Sequence, residues 1–202
     1  TDDMAIDFTL SPEVEQIRLR VREFIQTVVR PGEEKIGDPD KLERSNYIQL
    51  LLAMRAEAKA AGLWLPHMPK EWGGMALGHV ELAMVQAEAA KAYYGPWVLN
   101  CQAPDEGNMH TLLHWATDEQ KEKYLRPLCD GHTMSCFAMT EPEVAGSDPT
   151  LIQTRAVRDG DEWVINGHKW FISNARRARF AILIARTEDH PERPQAANTG
   201  FI

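Results

Sequence analysis

Cysteine is scarce, basic residues are outnumbered and long apolar runs are missing from this chain of 202 residues. The three cysteines, Cys101, Cys129 and Cys136, are odd in number and show no C-x-x-C spacing, so neither a disulfide framework nor a zinc knuckle organises the fold. They read as reduced, mostly buried thiols. No stretch approaches the roughly 18 consecutive apolar residues that a membrane-spanning helix requires. The opening TDDMAIDFTL has neither the basic nor the apolar part of a signal peptide. The expectation is a soluble, unexported protein without membrane insertion. With 22 lysines and arginines against 30 aspartates and glutamates, the formal net charge is −8, which argues against nucleic acid or an anionic membrane surface as a partner. Any phosphate-bearing ligand would need a local site. The pair His110 and His114 has the i, i+4 spacing of two ligands on one helix face, yet Thr111 stands where a zinc protease would carry its glutamate. No third ligand is obvious, so no metal site is expected.

What is present is the material of an ordinary core, at 44% hydrophobic and 26% charged residues. The first two-thirds read as helices. Ser11-Pro12 is a helix start, and Val14, Ile17, Val21, Phe24, Ile25 and Val28 repeat at helical spacing until Pro31. Residues 32 to 40, with Gly32, Gly37 and Pro39, read as a loop. A second helix carries Ile48, Leu51, Leu52, Met54, Ala58 and Ala61 up to a stop at Gly62. The stretch LWLPHMPKEWGG is poor helix and reads as an ordered loop packed by Trp64 and Trp72. Helices follow over His79 to Tyr94, ended by Gly95-Pro96, and over Met109 to Ala116. Thr117-Asp118-Glu119-Gln120 is a capping-box signature for a further helix that ends near Asp130-Gly131.

Near residue 132 the pattern changes from helical to alternating. SCFAM, TRAVR, EWVING, KWFIS and RFAILIA read as strands. Asp159-Gly160 and Asn166-Gly167 favour the positive backbone angles of tight hairpin turns, so residues 154 to 173 are expected to form a three-stranded antiparallel meander. The polar tail TEDHPERPQAANT reads as a surface loop before a last strand at Gly200-Phe201-Ile202. The expected fold is α+β, with an all-α helical bundle over residues 1–132 and the beginning of an antiparallel β-domain over 133–202. A sheet of so few strands leaves edge and core uncovered, and further polypeptide is expected to complete it.

The richest segment for chemistry is FAMTEPEVAGSDP, residues 137–149. A strand runs into a turn with Pro142, Gly146 and Pro149, and offers the Thr140 and Ser147 hydroxyls together with backbone amides where the chain can come close to a ligand. Such a loop suits a planar polar cofactor. It is equally readable as a plain turn capped at Ser147-Asp148, and residue types leave both open.

The segment F-A-M-T-E-P-E-V-A-G-S-D, followed by A-V-R-D-G-D-E-W-V-I-N-G-H-K-W-F-I-S-N-A at 156 to 175, resembles the two signature stretches of the acyl-CoA dehydrogenase family in order and separation. LWLPHMPKEWGGMALG resembles the family's glycine-rich turn, and TDEQKEKYLRPLCDG the helix before its first signature, so the resemblance covers nearly the whole chain. It implies FAD as cofactor. Phe137, Met139 and Thr140 would pass beside the flavin ring, giving backbone amides and a hydroxyl to its pyrimidine side. Gly146 and Ser147 would approach the flavin and the thioester end of the substrate, with Ser147 hydrogen-bonding to ligand. From the second signature come Phe171, Ile172 and Ser173: the aromatic ring would pack on the flavin and the hydroxyl would reach toward N5. The first turn is one residue longer than the commonest family form, as in a longer-turn subgroup. Phe171 stands in place of the usual Trp, which keeps a stacking surface without an indole N–H.

The activity implied is α,β-dehydrogenation of acyl-CoA thioesters, of the fatty-acid β-oxidation type, with electrons passing to an electron-transfer flavoprotein. The family's catalytic glutamate sits in a carboxy-terminal helical domain with no counterpart in this chain, so no catalytic residue is assigned and the chain alone is expected to be inactive. Glu141 is read as part of the turn. The helix at 79–94 and the segment Trp97 to Met109 would border the acyl pocket. The resemblance also implies a homo-dimer or homo-tetramer, in the bacterial cytoplasm or the mitochondrial matrix. Two other readings of the same fold are a flavin oxidase and a non-catalytic scaffold that binds acyl-CoA or flavin.

Overall fold

The computed structural model describes residues 9–190 and 192–202, and the chain divides into two compact units, one through Gln102 and one from Ala103 onward. The opening residues 1–8, and Pro191 in the polar tail, lie outside the described residues.

The first unit is helical. Helix α1 (Pro12–Phe24) begins where the Ser11 hydroxyl accepts the Val14 N–H at 3.3 Å and Pro12 presets the first turn. It buries Val14, Val21 and Phe24. The helical path does not stop at Pro31, as expected from the sequence. A π-helical turn, Ile25–Val29, comes first, and α2 (Arg30–Ile36) carries Pro31 in its opening turn. In the wider turn the Arg30 N–H reaches back to the Ile25 carbonyl, which makes room for a ring that has no N–H to donate and would otherwise collide with the preceding turn. Gly37, at φ 55°, is the actual stop. The expected loop over 32–40 therefore starts later.

Helix α3 (Arg44–Ala60) ends where expected, with Gly62 at φ 66°. Helix α4 (His79–Ala89) is shorter than its pattern suggests, and Gly95-Pro96 opens the short α5 (Gly95–Val98) instead of closing a helix. Glu88 ties α4 to α1. Its buried carboxylate accepts from Arg22 at 2.8 Å, Lys91 at 2.6 Å and Arg18 at 2.7 Å. Arg22 first, then Lys91 and Arg18, hold its pKa at about 2 against the opposing effect of burial. The LWLPH stretch is the ordered loop its rings suggested: Leu63, Trp64, Leu65 and Met68 are buried, and the Leu65 N–H donates to the Leu99 carbonyl at 2.9 Å. Above it the buried Arg55 guanidinium lies 4.6 Å from the Trp64 ring and 4.2 Å from the Trp97 ring, and donates to Asn100 Oδ1 at 2.7 Å. Two indole faces thus help hold a cation that has left water.

The second unit begins with α6 (Asp105–Trp115). The capping box is as read. Thr117 Oγ1 accepts the Gln120 N–H at 3.2 Å, and Gln120 Oε1 accepts the Thr117 N–H at 2.9 Å, opening α7 (Asp118–Gln120). A second π-helical turn, Lys121–Leu125, again precedes a proline, Pro127 in α8 (Arg126–Cys129). Gly131, at φ 75°, ends the helices. The strands are β1 (Ser135–Ala138), β2 (Arg155–Asp159), β3 (Glu162–Asn166), β4 (Phe180–Arg186) and β5 (Asn198–Phe201). Strand β4 is central. It runs parallel to β1 from Ser135–Phe180 to Ala138–Leu183, antiparallel to β5, and meets β2 at a single parallel pair, Arg155–Arg186. The change from helix to strand falls where the sequence places it, and the compact unit reaches back to Ala103 because α6 packs on β1.

The α+β class holds, but the sheet is mixed where antiparallel pairing was expected. The expected meander over 154–173 is a hairpin only. Its two-residue turn is Gly160-Asp161, one residue beyond the expected Asp159-Gly160, because Asp159 pairs with Glu162 as the last residue of β2 and only Gly160, at φ 60°, takes a positive angle. Gly167 is not in the left-handed region, and KWFIS forms no strand. Glycine is needed there for closeness, since a Cβ would stand 2.1 Å from Thr154 Oγ1 and 2.7 Å from its Cα.

All three cysteines are buried and in no disulfide, and burial pushes the Cys129 thiol up to about 12. Among the described residues no helix is long and apolar enough to cross a membrane, and no group of three or more His, Cys, Asp or Glu could hold a metal ion. His110 and His114 stack with ring centroids 6.4 Å apart on α6.

A Cβ at Gly95 would lie 2.0 Å from the Ala89 carbonyl oxygen. Gly95→Ala is therefore expected to lower the free energy of unfolding by about 2 kcal/mol or more. Urea midpoints read this directly, and a loss within about 0.5 kcal/mol would contradict the packing described.

Candidate functional site

The strand that opens the first signature is fixed at its start by buried polar groups. Asp105 Oδ1, on α6, accepts the Ser135 N–H at 2.7 Å and the Ser135 hydroxyl at 2.6 Å. Asn108 Nδ2 donates to Ser135 Oγ at 2.9 Å and to the Cys136 carbonyl at 3.2 Å. With these donors and acceptors matched inside the protein, β1 cannot slide without leaving buried polar atoms unpaired.

Beyond β1 the chain turns at Met139-Thr140-Glu141, and the Glu141 carboxylate becomes a hub. It is 3% exposed. Oε2 accepts the Gln153 N–H at 2.7 Å, while Oε1 accepts the Thr154 N–H at 2.9 Å and the Lys169 ammonium at 2.8 Å. Burial alone would raise its pKa, but Lys169 and the two amides outweigh it and hold the carboxyl at about 2. Lys169 Nζ also donates to the Met139 carbonyl at 2.8 Å, and the Trp170 N–H donates to the Thr140 carbonyl at 3.1 Å. The two signature segments therefore lie side by side. At the far end Asn174 Nδ2 donates to the Ser135 carbonyl at 3.5 Å, and the Arg179 N–H to Met134 at 2.8 Å.

These bonds explain why KWFIS is not a third strand. Its lysine is drawn to Glu141, its tryptophan amide goes to the turn, and Phe171 adopts φ 53°, with Asn174 at φ 67°. A left-handed phenylalanine is costly and persists only where its surroundings impose it.

The residues anticipated from the sequence fall as follows. Phe137 is half-buried in β1 opposite Ile182. Met139 and Thr140 are half-buried in the turn, and a Cβ at Gly146 would meet Thr140 Cγ2 at 3.4 Å, an ordinary contact. Gly146 and Ser147 are exposed at the centre of a turn closed by the Asp148 N–H to the Ala145 carbonyl, and Asp148 caps the next turn through Thr150. Phe171 is 82% exposed and its ring centroid lies 4.4 Å from that of Trp170. Ile172 is half-buried and Ser173 exposed. The Trp170–Thr140 bond sets the chain at Thr140 against the chain that leads into Phe171, Ile172 and Ser173. Leu99 and Met109, in the stretch expected to border an acyl pocket, are fully buried core residues. Lys169, Asn174 and the buried role of Glu141 were missed from the sequence. The available signal was a charged residue and an asparagine inside an otherwise strand-like apolar run.

An all-α unit leading into a mixed sheet, with two loops of that sheet drawn together by a buried ion pair, defines an α+β scaffold whose candidate site lies on the segments after β1 and β3. Residues 11–132 match the family described as acyl-CoA dehydrogenase, N-terminal domain, and residues 136–202 match acyl-CoA dehydrogenase, middle domain. The chain belongs to the acyl-CoA dehydrogenase family. It is 37% identical over 189 residues to acyl-CoA dehydrogenase family member 11 of Gallus gallus, covering 90% of this chain and 24% of that protein. A solved structure described as an acyl-CoA dehydrogenase from Mycobacterium abscessus matches with a TM-score of 0.85 at 35% identity, over 96% of this chain and 50% of that one. Glutaryl-CoA dehydrogenase from Mycobacterium smegmatis in complex with FADH2 shares the fold at a TM-score of 0.68 and 24% identity, over 95% of this chain and 45% of that one. The chain thus spans 24% of the Gallus gallus protein's length and 50% and 45% of the two solved chains.

Because the Glu141 pKa falls from the ordinary 4.5 to about 2 on folding, the unfolded chain binds the extra proton between those values. Its contribution to stability is complete above about pH 4.5 and is lost as pH falls toward 2. The urea-midpoint gap between wild type and Glu141→Gln should be widest near neutral pH and narrow below about pH 4.5. A gap indifferent to pH would mean that charge is not what holds this turn.

Proposed function

We propose that the protein is a FAD-dependent dehydrogenase that removes hydrogen from the α and β carbons of fatty acyl-CoA thioesters, and that this chain supplies one flank of its flavin site. The observation that carries this reading is the Trp170 N–H bond to the Thr140 carbonyl, which sets the two signature segments against one another. The residues there suit a planar polar ring. Among the described residues the Thr140 amide and the Thr140, Ser147 and Ser173 hydroxyls meet no protein hydrogen-bond partner, while Phe171 is an exposed aromatic ring on the segment bonded to Thr140. The FADH2 held by the glutaryl-CoA dehydrogenase of the same fold supports the choice of cofactor.

Bound here, FAD would supply the two-electron acceptor that protein side chains lack. Phe137, Met139 and Thr140 would orient the ring from one side, the last through its amide and hydroxyl. Phe171 and Ile172 would cover apolar surface and exclude water, and the Ser173 hydroxyl would fix the opposite segment. Gly146 leaves room for approach, and the Ser147 hydroxyl would serve cofactor or thioester. Glu141 is excluded as the general base: its oxygens are occupied by three donors and its pKa of about 2 is far from neutrality. No residue of this chain is assigned as the base. An electron-transfer flavoprotein is the proposed acceptor, within a homo-dimer or homo-tetramer of the bacterial cytoplasm or mitochondrial matrix.

The full-length protein should be yellow, and anaerobic acyl-CoA should bleach it until an electron-transfer flavoprotein is added. Immediate recolouring by air would instead indicate an oxidase, and a colourless protein that releases no flavin on heating would leave only the scaffold reading. Thr140→Val and Ser173→Ala should each weaken flavin binding by about tenfold, the worth of one hydrogen bond in a shielded site.

A further inference from the structure

Lys169 makes two hydrogen bonds of 2.8 Å, and only one of them belongs to its ion pair. The Glu141 contact neutralises a buried carboxylate; the Met139 contact spends the same ammonium on a backbone carbonyl. That carbonyl and the Thr140 N–H are two ends of one peptide group. A cation on the oxygen withdraws electron density through the amide and makes its N–H a stronger donor, an effect that a shielded site preserves. The Lys169 side chain is 9% exposed and the Glu141 side chain 2%, so solvent does little to screen either partner.

We propose that Lys169 is a positioning residue for the flavin, acting through the Met139–Thr140 peptide: it fixes that plane and polarises its N–H toward the ring, so that the reduced flavin is held more tightly than the oxidised one. The proposal rests on the flavin site described above. Reduction adds electron density to the isoalloxazine, and a donor strengthened from behind stabilises the electron-rich form more than the oxidised form. A purely structural ion pair would instead stabilise the fold and leave this ratio alone.

The test uses the full-length holoprotein and compares Lys169→Met, Lys169→Arg and Glu141→Gln with wild type, reading thermal midpoint, FAD dissociation and flavin midpoint potential. Lys169→Met and Glu141→Gln should both lower the thermal midpoint, since each breaks the pair. Only Lys169→Met should shift the preference for reduced flavin, by about tenfold, a fall of about 30 mV for a two-electron couple. Glu141→Gln keeps the ammonium on the carbonyl and removes a negative charge, so its potential should hold or rise. Lys169→Arg should restore most of the wild-type potential. If Lys169→Met does not fold, Lys169→Gln, which keeps a neutral donor, should show a smaller fall in the same direction. A wild-type potential in the lysine variants, or equal falls in the lysine and glutamate variants, overturns the role assigned to Lys169. A wild-type protein that carries no flavin overturns the flavin reading itself, which is a different result.

Discussion

A carboxylate taken out of water must have its hydration replaced, and at Glu141 the replacement comes from two separate stretches of chain. Two amides arrive from Gln153 and Thr154 just before β2, and one ammonium from Lys169 just after β3. Removing any donor would leave part of a buried charge uncompensated, an error that costs about 3–5 kcal/mol where a whole partner is lost. The rest of the candidate site follows from that requirement. Lys169 must enter the turn, so the chain after Asn166 cannot continue as a hairpin strand. Gly167 must be glycine because the path brings it onto Thr154. Trp170 then finds its hydrogen-bond acceptor on Thr140, outside the hairpin's edge.

Much of the helical unit was legible because its signals are local. Ser11, Gly62, Thr117 and Gly131 act through bonds or backbone angles within a turn of themselves, and each does what its residue type suggests. Pro31 was misread for a physical reason. Pro31 and Pro127 each follow a π-helical turn, whose wider ring absorbs the missing donor and the steric clash, so the helix passes through a residue that normally ends it. Gly95-Pro96 shows the same ambiguity, since a proline in the first turn serves a helix start as well as a stop. Packing decides between these outcomes, and no short window contains it.

The β-unit was legible in its strands and misread in their connections. Alternation identified β1 through β4, yet alternation says nothing about partner or direction, and the central strand pairs with residues 45 positions away in β1. Asn-Gly misled because glycine has two uses: at Gly160 it supplies a left-handed angle, at Gly167 an absent side chain. The hydroxyls and the aromatic ring of the candidate site were proposed through motif resemblance, which records such residues directly. The ion pair beneath them was not, since a glutamate and a lysine separated by 28 residues announce their meeting only when the fold brings them to 2.8 Å.

The chain contains two buried glutamates with similarly depressed pKa values, and their different settings imply different work. Glu88 is answered by side chains alone, and two of its partners, Arg22 and Lys91, remain 38% and 50% exposed. Such cations can swing, exchange and be screened by salt, so the arrangement tolerates motion while it braces α1 against α4. Glu141 is answered by two backbone amides and one cation that is itself almost covered. Backbone donors cannot swing, and the covered lysine takes a backbone carbonyl as its second acceptor. The charge of Glu141 is thereby converted into fixed positions for three pieces of main chain, two of which carry the candidate cofactor contacts. A brace made of side chains would suffice to hold helices together. Under the proposed flavin reading, placing the ring to within a few tenths of an ångström demands that the backbone itself be held, and this pair holds it.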